Sequence, residues 1–171
     1  MKTWHAPALV LGLLYVCFFG YLDYSRSHLP IRVATHFDAH GQPNGWMSRD
    51  SLLRFMTVFG LAFPLLVPGL SYASRLFPDR FQNIPHRDYW FSPARRAETL
   101  AFLFRHSLWF ASIALCFVMG IHFSIIYANG LEEPHLPTLL VLVLAGGFCA
   151  GTVIWGLSMW RHFKHVTQAE R

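Results

Sequence analysis

The chain has 171 residues, of which 54% are hydrophobic and only 13% charged, and its mean hydropathy is +0.35. An ordinary soluble domain carries about a quarter charged residues, so this composition argues against a water-soluble globule, and the high hydrophobicity excludes intrinsic disorder. The net charge is +5, but the basic residues lie between apolar runs instead of on one polar face, which argues against nucleic acid as a partner. The lipid bilayer is therefore the expected surrounding of much of the chain.

Four apolar runs of about the length that a membrane span requires predict four transmembrane helices. They cover residues 6–22, 52–77, 107–128 and 136–160. We expect Ser48 to cap the second helix, and the third helix to begin near Pro93, because a serine followed by proline is typical of a helix start. The expected fold is all-α. It is a single polytopic domain over 1–171, a four-transmembrane-helix bundle with a short extended and turn segment in its first loop.

The distribution of lysine and arginine predicts the orientation of the spans, because these residues concentrate in cytoplasmic loops. Three lie in the loop at 23–51, against nine in the loop after the second span and at the two termini. The three are Arg26, Arg32 and Arg49, and the nine are Lys2, Arg75, Arg80, Arg87, Arg95, Arg96, Arg161, Lys164 and Arg171. Both termini and the loop at 78–99 are expected in the cytoplasm, and the loop at 23–51 is expected outside.

Small and unusual residues inside the runs make further predictions. Pro64 and Pro68 predict a kink in the second helix. Gly147 and Gly151 form a G-x-x-x-G pattern that suits close helix packing, either within the chain or against a second copy in a homo-oligomer. Three cysteines lie in apolar runs without a C-x-x-C spacing, and we expect buried, inert thiols. They are Cys17, Cys116 and Cys149.

The outer loop carries an H-x-D-x-H array formed by His36, Asp38 and His40. On an extended strand the three side chains would point the same way, and imidazole and carboxylate groups are ligands of zinc. The alternative is that these residues satisfy backbone groups of a turn before Gly41. The residues from Gln42 to Gly45 predict such a turn. Metal binding and turn formation both stay open, and no other cofactor is expected.

The second loop carries an aromatic cluster around Trp90, beside several arginines. Aromatic rings and arginines favour the interface between membrane and water, where the arginines meet anionic headgroups. The alternative is that the segment from Arg87 to Glu98 is a docking surface for a cytoplasmic protein partner.

Polar residues in the third run leave transport as a further alternative. His122 lies inside this run, and Arg105 and His106 lie at its cytoplasmic end. Transporters place polar groups within the membrane, whereas a single histidine of this kind is more often a contact between helices. No G-x-S-x-G or H-E-x-x-H motif is present, so no catalytic residue is assigned.

Two blocks of the sequence resemble a bacterial membrane domain of unknown function. This domain is found in the family of the immunity protein against a secreted sporulation-delaying toxin. The first block comprises Pro30, His36, Phe37, Asp38, Gly41, Pro43, Asn44, Gly45, Trp46, Ser48 and Arg49. The second comprises Asn83, Pro85, Tyr89, Trp90, Pro93, Arg96, Glu98 and Thr99. Asp38 and His86 stand where the family pattern often has asparagine.

The resemblance implies a small, multi-pass protein of the bacterial inner membrane. The leading expectation is a non-enzymatic protein of the immunity or sensing type, which acts through its ordered outer loop and its cytoplasmic loop on a peptide or protein partner. The alternatives are a metal-binding or metal-dependent membrane protein that uses the H-x-D-x-H array, and a small transporter or transporter subunit.

Overall fold

The computed structural model describes residues 5–164, and four long helices make up most of them. They are α1 (His5–Arg26), α2 (Arg49–Ala73), α4 (Arg96–Asn129) and α5 (Thr138–Lys164). A single-turn helix, α3 (Arg87–Trp90), and two 3-10 turns (Ser74–Leu76 and Asp79–Phe81) connect α2 to α4. A two-stranded antiparallel hairpin, β1 (Arg32–Phe37) and β2 (Pro43–Ser48), connects α1 to α2.

Each of the four long helices is long and apolar enough to cross a membrane. The chain is a multi-pass membrane protein, and the predicted all-α polytopic fold is confirmed. We call the end of the bundle that carries β1 and β2 the hairpin end and the opposite end the loop end. Lys2 and Arg171, which contribute to the charge count, lie outside the described residues, and the orientation of the bundle in the membrane stays a prediction.

The observed start of α2 matches the prediction, whereas the start of α4 differs from it. The amide of Ser51 donates to the Ser48 hydroxyl at 3.2 Å, so Ser48 caps α2. Helix α4 begins at Arg96, three residues after the predicted start near Pro93. The amides of Arg95 and Arg96 both donate to the Ser92 carbonyl at 3.0 Å, whereas the Ser92 hydroxyl has no partner among the described residues. Residues 93–95 therefore form turns that lead into the helix.

Helix α4 is the central helix of the bundle and packs against α1, α2 and α5. Its buried positions recur at helical spacing, which places them on the face that meets α1 and α2. They include Leu108, Ala111, Leu115, Val118, His122 and Ile125. Helix α5 packs mainly on α4, with an additional ring contact between its Phe148 and Phe63 of α2. Its most apolar window is unburied, whereas 44% of the corresponding window of α4 is buried. Most of the surface of α5 is therefore left to lipid.

Two prolines lie within α2, which continues through both of them. Because proline has no N–H, Pro64 leaves the carbonyl of Gly60 without its usual helical donor. The phenol of Tyr15 on α1 donates to this carbonyl at 3.2 Å. The fully buried Phe18 ring lies against Gly60, where a Cβ would overlap it. The hydrogen bond that Pro64 removes from α2 is therefore replaced by one from α1. The kink in α2 stays a prediction.

The small-residue pattern of α5 is used only in part. A Cβ at Gly151 would lie 3.2 Å from Cγ2 of Ile113 on α4, but a Cβ at Gly147 would meet nothing within 4 Å. The tighter approach comes from the other helix, because the Leu144 side chain fills the space above Gly120. Gly151 therefore packs against α4 within the chain and Gly147 does not. Packing of the pattern against a second copy stays a prediction.

The contact between α4 and α5 is closed by a reciprocal pair of hydrogen bonds. The indole Nε1 of Trp155 donates to the His106 carbonyl at 2.9 Å, and Nε2 of His106 donates to the Trp155 carbonyl at 3.0 Å. The two rings stack with centroids 5.0 Å apart. Stacked rings continue from His106 through Phe102 and His162 to Trp90. This aromatic column fastens α5 to α4 and to the connection between α2 and α4.

The three cysteines differ from the expectation of buried thiols. Cys17, Cys116 and Cys149 are all free and exposed on the helix surfaces. Their apolar neighbours in the sequence face lipid as well as the core, and an apolar run in a membrane helix therefore does not establish burial within the protein.

We expect Tyr15→Phe to destabilise the protein by about 1 kcal/mol, because it leaves the Gly60 carbonyl without a donor. Alanine at position 64 would restore an N–H to that carbonyl, so the same change should cost much less in a Pro64→Ala background. Reversible unfolding in detergent measures both values. An equal cost in the two backgrounds would show that Tyr15 acts through packing alone.

Candidate functional site at the hairpin end

The hairpin between α1 and α2 contains the first of the two sequence blocks. Its strands pair with Arg32 opposite Ser48, Ala34 opposite Trp46 and His36 opposite Gly45. A Cβ at Gly45 would lie 2.8 Å from Cβ of His36, so glycine lets the two strands approach closely at this position. The first strand was predicted from the sequence. The predicted turn at residues 42–45 is wrong, because Pro43 begins β2 and the chain turns between Asp38 and Gln42.

The turn of the hairpin is organised by Asp38. One carboxylate oxygen, Oδ1, accepts hydrogen bonds from the amides of His40 at 2.8 Å and Gln42 at 2.9 Å. The bond from Gln42, followed by that from His40, holds the pKa of the Asp38 carboxyl below its ordinary value of 3.8. Gly41 adopts a φ of 79°, which glycine reaches without the steric cost that other residues incur. Asp38 therefore has the turn-forming role that the sequence left open.

The structure does not bring the H-x-D-x-H array together as a metal site. Strand β1 ends at Phe37, so Asp38 and His40 lie in the turn and do not continue the alternation of a strand. The imidazole Nδ1 of His36 donates to the side chain of Asn44 across the hairpin. Within residues 5–164, no three histidine, cysteine or carboxylate side chains are placed to hold a metal ion together.

Asn129, at the last turn of α4, clamps the hairpin to the bundle. The amide of Ala34 donates to Oδ1 of Asn129, and Nδ2 of Asn129 donates to the Ala34 carbonyl, both at 2.8 Å. The Asn129 side chain thus pairs with β1 as a further strand would, and Ala34 is fully buried. Asn129 was not predicted as a functional residue. It follows the third apolar run and precedes Gly130, which is the usual sequence pattern of a helix end.

The tip of the hairpin docks onto the connection between α4 and α5. The amide of Leu136 donates to the Gly41 carbonyl at 3.0 Å, and the Leu136 carbonyl lies where a Cβ of residue 41 would be. The amide Nε2 of Gln42 lies 3.4 Å from Nδ1 of His135. The hairpin is therefore held on both sides, at Ala34 by α4 and at Gly41 by the connection that follows α4.

Further residues of the first block stabilise the surroundings of the hairpin. Nη1 of Arg49 donates to the carbonyls of Arg26 at 2.9 Å and Leu29 at 3.3 Å, where α1 ends. The guanidinium of Arg32 lies 5.4 Å from the ring centre of Trp46, which is 41% exposed. Pro43 pairs with Phe37 in the register, and Pro30 is exposed just before β1.

An apolar cavity of about 410 Å³ lies beneath the clamped hairpin, between α4 and α5. Residues from Thr35 to Asp38 line it on the hairpin side, which brings Asp38 to its rim. The deeper walls consist of apolar side chains, which include Phe117, Ile121 and Ile125 of α4 and Val141 and Leu144 of α5. The positions from 117 to 125 span about 12 Å along α4. The arrangement suits a ligand with an apolar body and a polar or cationic end.

The second block lies at the loop end, on the opposite side of the bundle from the hairpin. Most of its residues bond the connection between α2 and α4 to itself and to the ends of α4 and α5. Trp90 donates from its indole to the Phe163 carbonyl at 3.2 Å, and the Thr99 hydroxyl donates to the Trp90 carbonyl at 2.7 Å. Arg96 and Asp79 form an ion pair at 3.0 Å. Glu98 and Asn83 are exposed, and Pro85 is half-buried.

His86 adopts a left-handed backbone conformation with φ 52°. Asparagine is several-fold enriched in this conformation, which gives a physical reason for the asparagine in the family pattern at this position. Histidine is enriched in the same conformation, so His86 also suits this backbone position.

His122 is fully buried between α4 and α1. The Ser25 hydroxyl donates to the Leu22 carbonyl at 2.8 Å, so it accepts from Nε2 of His122, which is also 2.8 Å away. The edge of the Tyr21 ring completes the contact. Nδ1 of His122 has no hydrogen-bond partner among the described residues. The structure therefore places His122 in a contact between helices, as the alternative to transport expected.

One comparison with known proteins gives a match. Residues 11–63 are similar to a domain of unknown function (DUF1648). This stretch includes most of α1, the complete hairpin and the first half of α2, and it contains the first sequence block but not the second. No curated protein and no solved structure matches the chain. The similarity therefore concerns just under a third of the chain, centred on the hairpin.

We expect Asn129→Ala to destabilise the hairpin end by about 2 kcal/mol, because both backbone groups of the buried Ala34 lose their partner. Hydrogen exchange of the Ala34 amide should become about 30-fold faster. Asn44→Ala removes a side chain of the same kind from the exposed face of the hairpin and serves as the control. Unchanged protection of Ala34 in the Asn129 variant would show that the clamp is dispensable.

We expect the stability of the turn to depend on the ionisation of Asp38 only at acidic pH. Because the folded pKa of Asp38 is lowered, its stabilising effect is complete above the unfolded value near 3.8 and is lost as the pH falls through the folded pKa. Exchange of the Gln42 amide should therefore accelerate below about pH 4 in the native protein and show no such step in Asp38→Asn. A step of equal size in both proteins would assign it to another group.

Proposed function

We propose that this protein is a non-enzymatic binding protein of the bacterial inner membrane, which captures an amphipathic peptide in the cavity beneath its hairpin. The observation that carries this proposal is the cavity itself. It is apolar in its depth, it has a carboxylate at its rim, and a hairpin that is held at two points covers it. A preformed apolar pocket with a few polar groups is the usual form of a small-ligand site.

The charges around the rim favour a cationic ligand. Asp38 is ionised at neutral pH, as aspartates ordinarily are, and the connection that docks onto Gly41 carries Glu132 and Glu133 without any lysine or arginine. The arginines of the same end are engaged elsewhere. Arg49 bonds the end of α1, and Arg32 lies over Trp46. A peptide with cationic and apolar side chains complements both parts of the site.

The resemblance to the family of toxin-immunity proteins supports the same proposal. It rests in part on the first block, and four residues of this block, His36, Phe37, Asp38 and Gly41, line the cavity. In the proposed orientation, both termini are cytoplasmic and the hairpin faces outside, where a secreted peptide would arrive. Immunity would then follow from sequestering the peptide before it disturbs the bilayer. The polar side chains of the hairpin would act by shaping the site and by attracting charge, without a chemical step.

A substitution that fills the cavity tests this proposal. We expect a strain that lacks the protein to be several-fold more sensitive to secreted cationic, amphipathic peptides, and the wild-type protein to restore resistance. Ala145→Phe places a ring in the cavity wall and should abolish the rescue. Ala150→Phe makes the same change on the exposed surface of α5, outside the cavity, and should leave it intact.

Direct binding separates capture from indirect effects on growth. A photoreactive cationic peptide should crosslink to the purified protein in nanodiscs at Ile121 or Val141, and Ala145→Phe should prevent this. Full rescue by Ala145→Phe at wild-type abundance would contradict the proposal. Crosslinks on the outer surface of α5 instead of in the cavity would also contradict it.

A further inference from the structure

The first part of the connection between α2 and α4, residues 74–82, exposes its apolar side chains. We call these residues the connecting segment. Leu76 is 84% exposed, Phe81 is 65% exposed and Phe77 is 56% exposed. The half-buried residues of the same segment are the polar ones Ser74, Asp79 and Gln82. A loop that faces water ordinarily shows the reverse distribution, with its polar side chains outside.

The connecting segment is ordered by hydrogen bonds and by an ion pair. Nε2 of Gln82 donates to the Ser74 carbonyl at 3.4 Å, and the Asp79 carboxylate pairs with Arg96 at the start of α4 at 3.0 Å. A guanidinium N–H from the following helix, α3, donates to a carbonyl of the segment at 3.3 Å. The exposure of the apolar side chains therefore belongs to a defined conformation.

Two exposed arginines, Arg75 and Arg80, lie beside these apolar side chains. The guanidinium of Arg80 lies 5.1 Å from the ring centre of Phe81, and that of Arg75 lies 4.8 Å from the ring centre of Tyr72. Neither arginine forms an ion pair within residues 5–164. The one carboxylate of the segment, Asp79, already has a partner. The outer side of the segment therefore combines apolar surface with positive charge.

The position of the segment along the bundle corresponds to the headgroup layer of a membrane. A span needs about 20 residues, which, counted from the start of the apolar run at Leu52, end near Tyr72. The ring of Tyr72 contacts that of Phe104 on α4, with centroids 6.0 Å apart, and tyrosine rings favour the interface between membrane and water. The connecting segment follows directly after this level.

We propose that the connecting segment docks on the membrane surface and prefers anionic phospholipid there. Leu76, Phe77 and Phe81 enter the boundary between the headgroups and the acyl chains, and the guanidinium groups of Arg75 and Arg80 stay among the headgroups. This combination of apolar and basic side chains is the one by which segments that lie in the plane of an interface bind anionic lipid. The depth of the segment favours lipid over a cytoplasmic protein as its occupant. The surface lies at the opposite end from the peptide-binding cavity and does not depend on it.

The reactivity of single cysteines in phosphatidylglycerol nanodiscs tests the depth of the segment. The three native cysteines, which are free, are replaced by alanine. Phe81→Cys should then react about tenfold more slowly with a charged, membrane-impermeant maleimide than Asp88→Cys, because the reactive thiolate is disfavoured away from water. Asp88 is an exposed residue of α3. Both thiols should react alike after unfolding in dodecyl sulfate. Equal reactivity in nanodiscs would overturn the proposal and would identify a water-facing surface for a protein partner.

Photoreactive lipids test the preference for an anionic headgroup. Phosphatidylglycerol and phosphatidylcholine with the same diazirine at the top of one acyl chain are supplied in equal amounts, and crosslinks at Phe77 and Phe81 are counted by peptide mapping. We expect phosphatidylglycerol to dominate in the wild-type protein. Arg80→Gln should lower the ratio of the two lipids about fivefold, which is the usual effect of one basic residue at an anionic surface. Arg80→Lys keeps the charge and should keep the ratio.

A second charge at the same end provides the matched control. Arg161→Gln removes a positive charge from the exposed surface of α5, outside the connecting segment, and should leave the lipid ratio at Phe81 unchanged. An equal fall in Arg161→Gln and Arg80→Gln would show diffuse attraction and would overturn the assignment of the preference to the segment. Equal crosslinking of the two lipids in the wild-type protein would also overturn it.

Discussion

A backbone carbonyl or amide that lies in lipid or in a packed core must find a partner within the protein, because no water replaces it. Three side chains supply such partners where the regular bonding of a helix or strand leaves backbone groups open. Tyr15 donates to the carbonyl that Pro64 leaves open, Arg49 bonds the carbonyl of the last residue of α1, and Asn129 pairs with both backbone groups of Ala34 in β1. These bonds join elements that are distant in the sequence, so the same interactions that satisfy the backbone also determine how α1, α2 and the hairpin are arranged around α4.

The hairpin cavity is a consequence of this arrangement. Asn129 holds β1 beside the end of α4, and Gly41 rests on the connection to α5, so the hairpin spans the gap between the two helices. Leu144, which lines the cavity, lies over Gly120 of α4, and further along the two helices Trp155 and His106 exchange hydrogen bonds. The space that α4, α5 and the hairpin enclose above these contacts is the cavity. A rigid roof over a preformed cavity reduces the entropy that a ligand must lose on binding.

Hydrophobicity and helix-start signals in the sequence are sufficient to predict the four spans and the cap at Ser48, because both depend on local composition. The interactions that position the sites are not local. Asn129 contacts a residue 95 positions away, and nothing in its neighbourhood in the sequence distinguishes it from an ordinary helix end. The H-x-D-x-H array, in contrast, is a clear pattern in the sequence that the fold does not use as a metal site. Its spacing would align three ligands on a strand, but the strand ends at Phe37, and the Asp38 carboxylate then bonds the turn amides. The length of a strand is decided by the partner that it pairs with, which the pattern alone does not contain.

Most residues of the two sequence blocks have structural roles, so ligand binding is expected in the cavities beside them and not at the motif residues themselves. Asp38, Gly41, Gly45, Ser48 and Arg49 each have a defined structural task in the hairpin or at the helix ends beside it, and Trp90, Arg96 and Thr99 have comparable tasks at the loop end. A residue whose polar atoms are already bonded within the protein has little capacity left for a ligand. The polar group that remains at the hairpin end is one carboxylate oxygen of Asp38, a residue that lines the apolar cavity beneath the hairpin. Its negative charge is the reason why this end is expected to select a cationic ligand.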